Sequence, residues 1–202
     1  MNINSARYQA ALAQLATIYA YRFEPGEIFN QITHIIADLF DVGVVCLSEI
    51  RGGSLYFLSV YDHGKLTGNA GHCLLNVTPC ATVKQSRDVR IYENVTEKFP
   101  KASFLKEHNT YSYCGFPSFD KADDVICVTC LLDEKPKDYT KEDIELLRIF
   151  GQRIALELEC EKQYLAIKEN EHRYHILFDE SPVPLWEEDF SEVKQFIEKL
   201  RK

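Results

Sequence analysis

The residue of this sequence with the clearest chemical potential is Cys80, in the stretch VTPCATV at residues 77–83. Thr78 suits a helix N-cap and Pro79 suits a first helical turn, so a short helix is predicted to begin here. Cys80 would then lie where free backbone amides and the helix dipole stabilise a thiolate and lower its pKa. This placement predicts a redox-sensitive thiol or an attachment point for a cofactor. The alternative is a small buried residue that fills space beneath the turn.

Histidines and a second cysteine accompany Cys80 in the same part of the chain. His72 and Cys73 are adjacent, and His63 and His108 lie on either side of them. Neutral imidazole or thiolate ligates haem iron, so haem is a candidate cofactor with His72, His108 and Cys80 as candidate iron ligands. The alternative is that His63 and His108 lie in solvated loops, since isolated histidines mostly have structural or surface roles. The identity of the cofactor stays open.

Aromatic residues are concentrated in this half of the chain: Tyr92, Phe99, Phe104, Tyr111, Tyr113 and Phe116. They would form the wall of a pocket for a flat apolar ligand, or simply part of a hydrophobic core. Together with the thiols and imidazoles they give the candidate ligand-binding residues, which are Cys80, His72, Cys73, Tyr92, Phe104, His108, Tyr113 and Phe116.

Cys127 and Cys130 match a CxxC motif by letter only. They belong to a predicted strand, where positions three apart point to opposite faces, so they could not hold one zinc ion together. The chain has seven cysteines and shows no secretion signal, which favours reduced thiols.

Composition excludes several classes of partner. The 202 residues are 46% hydrophobic and carry a formal net charge of −8, so a basic surface for nucleic acid or for an anionic membrane is not expected. No leader peptide is evident, and no apolar run is long enough to span a bilayer. A soluble, cytoplasmic protein is therefore predicted.

The first part of the chain predicts two helices and a hairpin. Residues 5–22 have helical spacing, with Tyr8, Leu12, Leu15 and Tyr19 on one face, and residues 27–40 form a second helix with Ile28, Ile32, Ile35, Ile36 and Leu39 inward. The segments 42–50 and 54–62 then alternate as strands. The turn Arg51-Gly52-Gly53 between them predicts a β-hairpin.

An irregular middle, residues 62–110, is predicted to hold short helices and one short strand, DVRIYE. A second pair of strands follows, at residues 110–120 and 123–134, across the turn KADD. The latter strand is apolar on both faces, with Val125, Cys127 and Leu131 on one and Ile126, Val128 and Leu132 on the other. That pattern is typical of a central strand covered on both sides.

Residues 139–171 predict one long helix, with Thr140 and Asp143 forming an arrangement close to a capping box. Residues Ile144, Leu147, Gly151, Ile154, Leu158 and Leu165 repeat at nearly the spacing of a coiled-coil seam. They would pack either on the chain's own sheet or, as we favour, on a second copy of the chain, with the N-terminal helix joining the bundle. The order of elements predicts an α+β fold, an antiparallel sheet with flanking N- and C-terminal helices on one face and a looped pocket on the other.

From about residue 10 to residue 160 the chain resembles a GAF domain. The matching elements are Thr78-Pro79-Cys80, VRIYENV, Phe99-Pro100, SYCGFP at residues 112–117, Leu132-Asp133 and TKEDIELLRIFGQRIALELE. The resemblance implies a sensory domain but not its ligand, because GAF domains bind cyclic nucleotides, tetrapyrroles, haem, iron, metabolites or nothing. The NKFDE-type motif linked with cyclic nucleotides is absent, and His72-Cys73 has the reverse order of a bilin-binding pair.

The last 31 residues, from His172, resemble the opening of the PAS-type segment that follows GAF domains in sensor histidine kinases. We therefore expect an N-terminal dimerisation helix at 1–22, a GAF-like sensory domain at 23–160, and a linker helix with the start of a PAS-like segment at 161–202. The expected function is a sensory, regulatory, non-enzymatic module of a histidine kinase, which relays a small-molecule, haem or redox signal through a dimeric helix. Alternatives are a ligand-free dimerisation spacer and, less favoured, a thiol-based reductase using Cys73 and Cys80.

Overall fold

A computed structural model describes residues 3–17, 26–68, 70–179 and 194. The elements are α1 (Ile3–Thr17), α2 (Glu27–Phe40), β1 (Val44–Arg51), β2 (Ser54–Asp62), β3 (Lys65–Gly68), β4 (His72–Leu74), a 3-10 helix (Leu75–Val77), α3 (Cys80–Ser86), β5 (Arg90–Tyr92), α4 (Val95–Lys98), α5 (Ser103–Glu107), β6 (Ser112–Phe119), β7 (Val125–Asp133) and α6 (Lys141–Asp179). Two compact units divide the chain, residues 1–161 and residues 162–202. In the part of the chain that is described, no helix combines the length and the apolar character needed to cross a membrane.

The described strands form one antiparallel sheet in the order β3-β2-β1-β7-β6-β5, and β4 also pairs with β2. Both predicted hairpins are present. Gly52 and Gly53 have φ of 53° and 86°, the positive values that a two-residue type I′ turn requires. The prediction of a single short strand in the middle region was wrong, because Lys65–Gly68 and His72–Leu74 also join the sheet, as additions to β2.

The sheet separates two hydrophobic cores. The α6-side core combines α1, α2 and α6 with alternate residues of the central strands, among them Val45, Leu47, Phe116 and Leu131. The α3-side core combines the 3-10 helix and α3 to α5 with the intervening residues, among them Val44, Cys46, Tyr113 and Leu132. This confirms the predicted arrangement of flanking helices on one face and shorter connecting elements on the other.

One side-chain assignment on β7 was wrong. Val125 was predicted to share a face with Cys127, but it lies in the α3-side core, while Ile126 packs against the α6-side core. The cause is a shift in the β6–β7 register between Ser118 and Phe119, which lets one extra residue into β7 and reverses the alternation before Cys127. Cys127 and Cys130 do point to opposite cores, as their strand position predicted.

The two N-terminal helices lie in the α6-side core. Ile32, Ile36 and Leu39 of α2 are buried as predicted, and Ile28 and Ile35 are partly buried against the same core. In α1, Leu15 is buried and the Tyr8 hydroxyl donates a hydrogen bond to Asp143 Oδ1 at 3.0 Å, whereas Leu12 is exposed. Tyr19 lies outside the described residues.

The start of α6 shows the predicted capping box. The Asp143 amide donates to Thr140 Oγ1 at 3.1 Å, and the Thr140 amide donates to Asp143 Oδ2 at 2.9 Å.

The predicted coiled-coil seam is corrected in its first part. Leu147, Ile154 and Leu158 are fully buried in the α6-side core, so this face packs on the chain's own sheet and is not available to a second copy. Gly151 belongs to the same face, and a β-carbon there would stand only 2.6 Å from the carbonyl oxygen of Pro117 in β6. The backbones of α6 and β6 are therefore in direct contact.

We expect Gly151→Ala to destabilise the fold by about 1–3 kcal/mol, because the added methyl group must push α6 away from Pro117. Alanine is the better helix former, so helix propensity alone predicts the opposite sign. Urea unfolding followed by circular dichroism measures the difference, with Gln152→Ala on the exposed side of the helix as the control. An unchanged or increased stability of Gly151→Ala would show that α6 does not rest on β6 at this point.

Candidate functional site

A cavity of about 70 Å³ lies on the α3 side of the sheet, beneath α3 and α5. Its walls are mainly apolar side chains and thiols, which are Leu55, Phe57, Phe104, Leu105, Tyr113, Leu132, Cys46, Cys73, Cys80 and Cys130. The rest of the lining consists of Ser48, Val77, Thr78, Pro79, Lys101, Ala102 and Ser103. For comparison, an apolar cavity of about 150 Å³ holds benzene or xenon. The space suits a ligand of a few atoms unless the walls move.

The turn before α3 differs from the predicted cap. Thr78 has extended backbone angles and its hydroxyl donates to the Leu75 carbonyl at 2.8 Å, so it does not cap α3. Pro79 occupies the N-cap position with helical angles, and the Thr82 amide reaches its carbonyl at 3.0 Å. The Thr78 side chain therefore ties the turn to the 3-10 helix and leaves Cys80 as the first residue of α3.

Cys80 is a buried, protonated thiol and not the predicted thiolate. Only 5% of the residue is exposed, and the Tyr113 hydroxyl lies 3.3 Å from its Sγ. The hydrogen bond with Cys130 and the burial raise the Cys80 pKa well above its usual value. The thiol therefore keeps its proton at neutral pH, because the hydrogen bond with Cys130 and desolvation both disfavour the thiolate. This corrects the expectation of a lowered pKa and agrees with the alternative of a buried packing residue.

Tyr113 reaches Cys80 because residue 115 is a glycine. A β-carbon at Gly115 would overlap the Tyr113 hydroxyl, so the ring can lie flat across the β6 backbone only when that side chain is absent. Tyr113 is 1% exposed, and burial raises its pKa well above the usual value. A neutral phenol thus faces a neutral thiol at the bottom of the cavity.

Cys73 lies at the edge of the same cavity. It is paired with Leu55 in the β2–β4 ladder and is only half-buried. Desolvation, and then the nearby Cys80, raise its pKa to about 11.

None of the described histidines lines the cavity. His72 is exposed and stacks on Tyr56 with ring centroids 5.3 Å apart. His108 stacks on Phe104 at 4.1 Å and its Nδ1 donates to the Phe104 carbonyl at 2.9 Å. Haem in this cavity would lack an imidazole ligand and would have far too little space. The residues present therefore do not fit haem.

A separate polar cleft of about 150 Å³ contains His108 and His63 together with Gly43 and Thr110. Asp62 links the two imidazoles, with Oδ1 at 2.7 Å from His63 Nδ1 and Oδ2 at 3.4 Å from His108 Nε2. The hydrogen bond from His63 lowers the pKa of Asp62. Within the described ranges, no group of three or more His, Cys, Asp or Glu residues is arranged to hold a metal ion.

Of the eight predicted site residues, the structure brings Cys73, Cys80, Phe104 and Tyr113 together around the cavity. The other four do not line it. Tyr92 packs on Phe99 at 5.3 Å and donates to Thr82 Oγ1 at 2.9 Å, and Phe116 lies across the sheet in the α6-side core. Whether the cavity residues bind a ligand remains a prediction.

Sequence reasoning missed several residues that line the cavity, notably Cys46, Phe57, Leu105 and Cys130. The strand alternation of β1 and β7 offered a signal for the cysteines, because Cys46 and Cys130 are direct partners in the ladder and therefore share a face.

Comparisons with known proteins agree on one fold. The model of the GAF domain family matches residues 24–158. The GAF domain of a phosphoenolpyruvate-protein phosphotransferase from Coxiella burnetii aligns with a TM-score of 0.68 and 8% identity, covering 81% of this chain and 99% of that one. The phycoerythrobilin-bound GAF domain of a cyanobacterial phytochrome gives a TM-score of 0.64 and 12% identity, covering 79% and 98%.

An enzyme has a similar structure. The free methionine-R-sulfoxide reductase from Neisseria meningitidis, in complex with its substrate, aligns with a TM-score of 0.64 and 12% identity, covering 81% of this chain and 95% of that one. Identities this low establish the shared fold alone. No curated protein sequence matches the chain.

The thiols of the cavity should differ in their response to pH. Only the thiolate is alkylated, so the iodoacetamide rate at Cys73 should rise about tenfold per pH unit between pH 7 and pH 10, as its pKa of about 11 requires. Cys80 should stay unlabelled in the folded protein, while the exposed Cys160 reacts from the start. Peptide mapping by mass spectrometry at each pH follows the three residues. If Cys80 were labelled at pH 7 as fast as Cys160, the hypothesis of a reactive Cys80 thiolate would be supported after all.

Proposed function

Because the chain belongs to the GAF domain family, whose members are generally sensory and ligand-binding modules, we propose that it is the sensory module of a signal-transduction histidine kinase. A small, largely apolar molecule binds in the cavity beneath α3 and α5. Binding changes the packing around the sheet, and α6 passes the change to the output domains of the parent protein.

The cavity itself carries this proposal. It lies between the sheet and the short helices of the middle region, and its walls combine aromatic rings with a few hydroxyl groups. Pockets for small ligands have this composition, an apolar wall with few polar groups that orient the ligand. Phe57 and Phe104 stack at 5.6 Å and close one side, and α5 supplies Phe104 and Leu105. A larger ligand would be accommodated by displacing α5.

The strands β6 and β7 connect the cavity to α6 within residues 1–161. On β7, Cys130 and Leu132 line the cavity while the intervening Leu131 packs in the α6-side core. On β6, Tyr113 lines the cavity, and the Pro117 carbonyl lies against Gly151 of α6. A ligand that moves either strand therefore changes the surface on which α6 packs. Such coupling requires different affinities for two states and amounts to about 1–3 kcal/mol in typical cases.

A second copy of the chain is the proposed receiver of this movement. On the solvent side of α6, Ile149 and Leu156 are 43% and 50% exposed, and Cys160 follows four residues later. In the second unit, Ile167 and Tyr174 are 59% and 63% exposed and continue the seven-residue spacing from Cys160. A heptad pattern of exposed apolar residues is typical of self-pairing helices. The proposed contact face thus differs from the seam predicted from sequence.

The kinase context is supported by the resemblance of the tail to a PAS-type segment. Residues 172–179 of that tail are the last two turns of α6, and of the remainder only residue 194 is described.

A thiol-based reductase is not favoured, because Cys73 and Cys80 both hold their protons more tightly than an ordinary cysteine. Nucleophilic cysteines need the thiolate.

Filling the cavity should abolish ligand binding without unfolding the domain. Ala102 lines the cavity and is 4% exposed, so Ala102→Leu places its added atoms in the free space. Xenon under pressure should give one binding site in crystals of the wild type and none in this variant.

The same pair of proteins then serves in a thermal-shift screen of small apolar and heteroaromatic metabolites. A true ligand at about 100 times its Kd stabilises the wild type by about 2.7 kcal/mol, a rise in Tm of roughly 5–10 °C, and leaves Ala102→Leu unchanged. Ala166→Leu on the exposed part of α6 is the control. Absence of binding by both xenon and the metabolites to the wild type would contradict the ligand-binding proposal and favour the ligand-free spacer.

The proposed helix pairing places Cys160 of one copy beside Cys160 of the other. Mild oxidation with copper-phenanthroline should therefore give a covalent dimer of the wild type and none of Cys160→Ser. In the Cys160→Ser background, Lys162→Cys puts a thiol on the opposite face of the helix and should not cross-link. Gel electrophoresis without reductant gives the yield. Equal cross-linking at both positions, or a monomer in sedimentation at the same concentration, would contradict the pairing.

A further inference from the structure

Four thiols meet at the cavity beneath α3. Cys46 of β1 and Cys130 of β7 are direct partners in the antiparallel ladder and lie in the same core. Cys130 is a hydrogen-bond partner of both Cys46 and Cys80, and Cys73 lies at the cavity edge. Cys114 and Cys127, by contrast, lie across the sheet in the α6-side core. Four cysteines therefore lie on the cavity side of the sheet and two on the other side.

The surroundings of these thiols exclude most ligands of sulfur. No His, Asp or Glu lines the cavity, and Lys101 is its one charged lining residue, so nothing there attracts a cation. Burial keeps Cys80 and Cys130 protonated, which disfavours reactions that need a free thiolate, such as disulfide exchange. Among the described residues these thiols are not arranged to hold a metal ion together, and the lining has no imidazole or carboxylate to complete a tetrahedral site. The chemistry that suits this site joins two neutral thiols and leaves a neutral product.

We propose that Cys80 and Cys130 form a dithiol site for a small trivalent arsenical such as arsenite. Two S–H bonds and two As–OH bonds break, two As–S bonds form, and the two protons leave with the two hydroxides as water. Arsenic stays trivalent and no cysteine is oxidised, so the step needs no oxidant or reductant. The product is neutral and small enough for a cavity of about 70 Å³. The inference rests on the proposed ligand-binding function and names a ligand class for the same cavity.

Such an adduct would tie α3 to the sheet. Cys80 is the first residue of α3, and Cys130 precedes Leu131, which packs in the α6-side core. A covalent bridge between the two sulfurs thus pulls the start of α3 towards β7, the strand that packs against α6. Cys73, half-buried at the edge, lies on the entry side of the site.

The test uses the full chain with Cys160→Ser, reduced and oxygen-free, and arsenite as the probe. Native mass spectrometry and titration calorimetry should show one arsenic per chain with loss of two waters. Cys80→Ala and Cys130→Ala should each bind at least about tenfold more weakly, because the remaining thiol loses a second bond formed at high effective concentration. The matched control, Cys114→Ala with Cys127→Ala, removes two buried thiols from the other core and should bind as the parent does.

Ala102→Leu keeps all four thiols and should also lose arsenite binding, which guards against a cysteine variant that fails to fold. Circular dichroism checks each variant. Arsenite binding that survives Cys80→Ala, or that disappears in the Cys114→Ala, Cys127→Ala control, overturns the proposal. Xenon or a metabolite binding the wild type while arsenite does not would overturn the thiol site and leave the ligand-binding function standing.

Discussion

The structure depends on the burial of β1 and β7 on both faces. Alternate residues of each strand pack into two separate cores. The sheet is therefore a single layer that separates the cavity from α6. Most side chains on both faces of these strands are buried, so a charged group among them needs a local partner, as Glu49 has in the Arg51 guanidinium. Consecutive residues such as Cys130 and Leu131 therefore belong to different cores. A displacement of the strand by groups in one core also moves the side chains that pack in the other.

Two glycines allow close contacts on the two faces of the sheet. Gly115 lets Tyr113 lie across β6 and reach Cys80, and Gly151 lets α6 rest on the Pro117 carbonyl. Both contacts involve β6, at positions four residues apart on the same strand. Interiors are close-packed and respond to volume changes of a single methyl group. The strand β6 therefore has one close contact on each side, Tyr113 with Cys80 at the cavity and Pro117 with Gly151 of α6, and it links the cavity to the helix.

Much of this fold could be predicted from the sequence, because periodicity reports which residues are buried. The hairpin at Gly52-Gly53, the two-sided strand β7 and the capping box at Thr140 follow from local patterns and are present. The misplacement of Val125 had a tertiary cause, since a register shift between β6 and β7 has no signature in the alternation of β7 itself. The short strands β3 and β4 were missed because they are mostly exposed and are stabilised by pairing with β2 rather than by an apolar face.

The candidate site was harder to predict than the fold, and Cys80 shows why. Local sequence placed it at a helix start, where a thiolate gains from the helix dipole. The tertiary structure buries it among Tyr113, Cys130 and the cavity wall, where the hydrogen bond with Cys130 and desolvation raise its pKa although it is the first residue of α3. The histidines fail as site residues for a related reason. Sequence proximity placed His72 beside Cys73, but neighbours on a strand point to opposite sides, so His72 faces solvent while Cys73 lines the cavity.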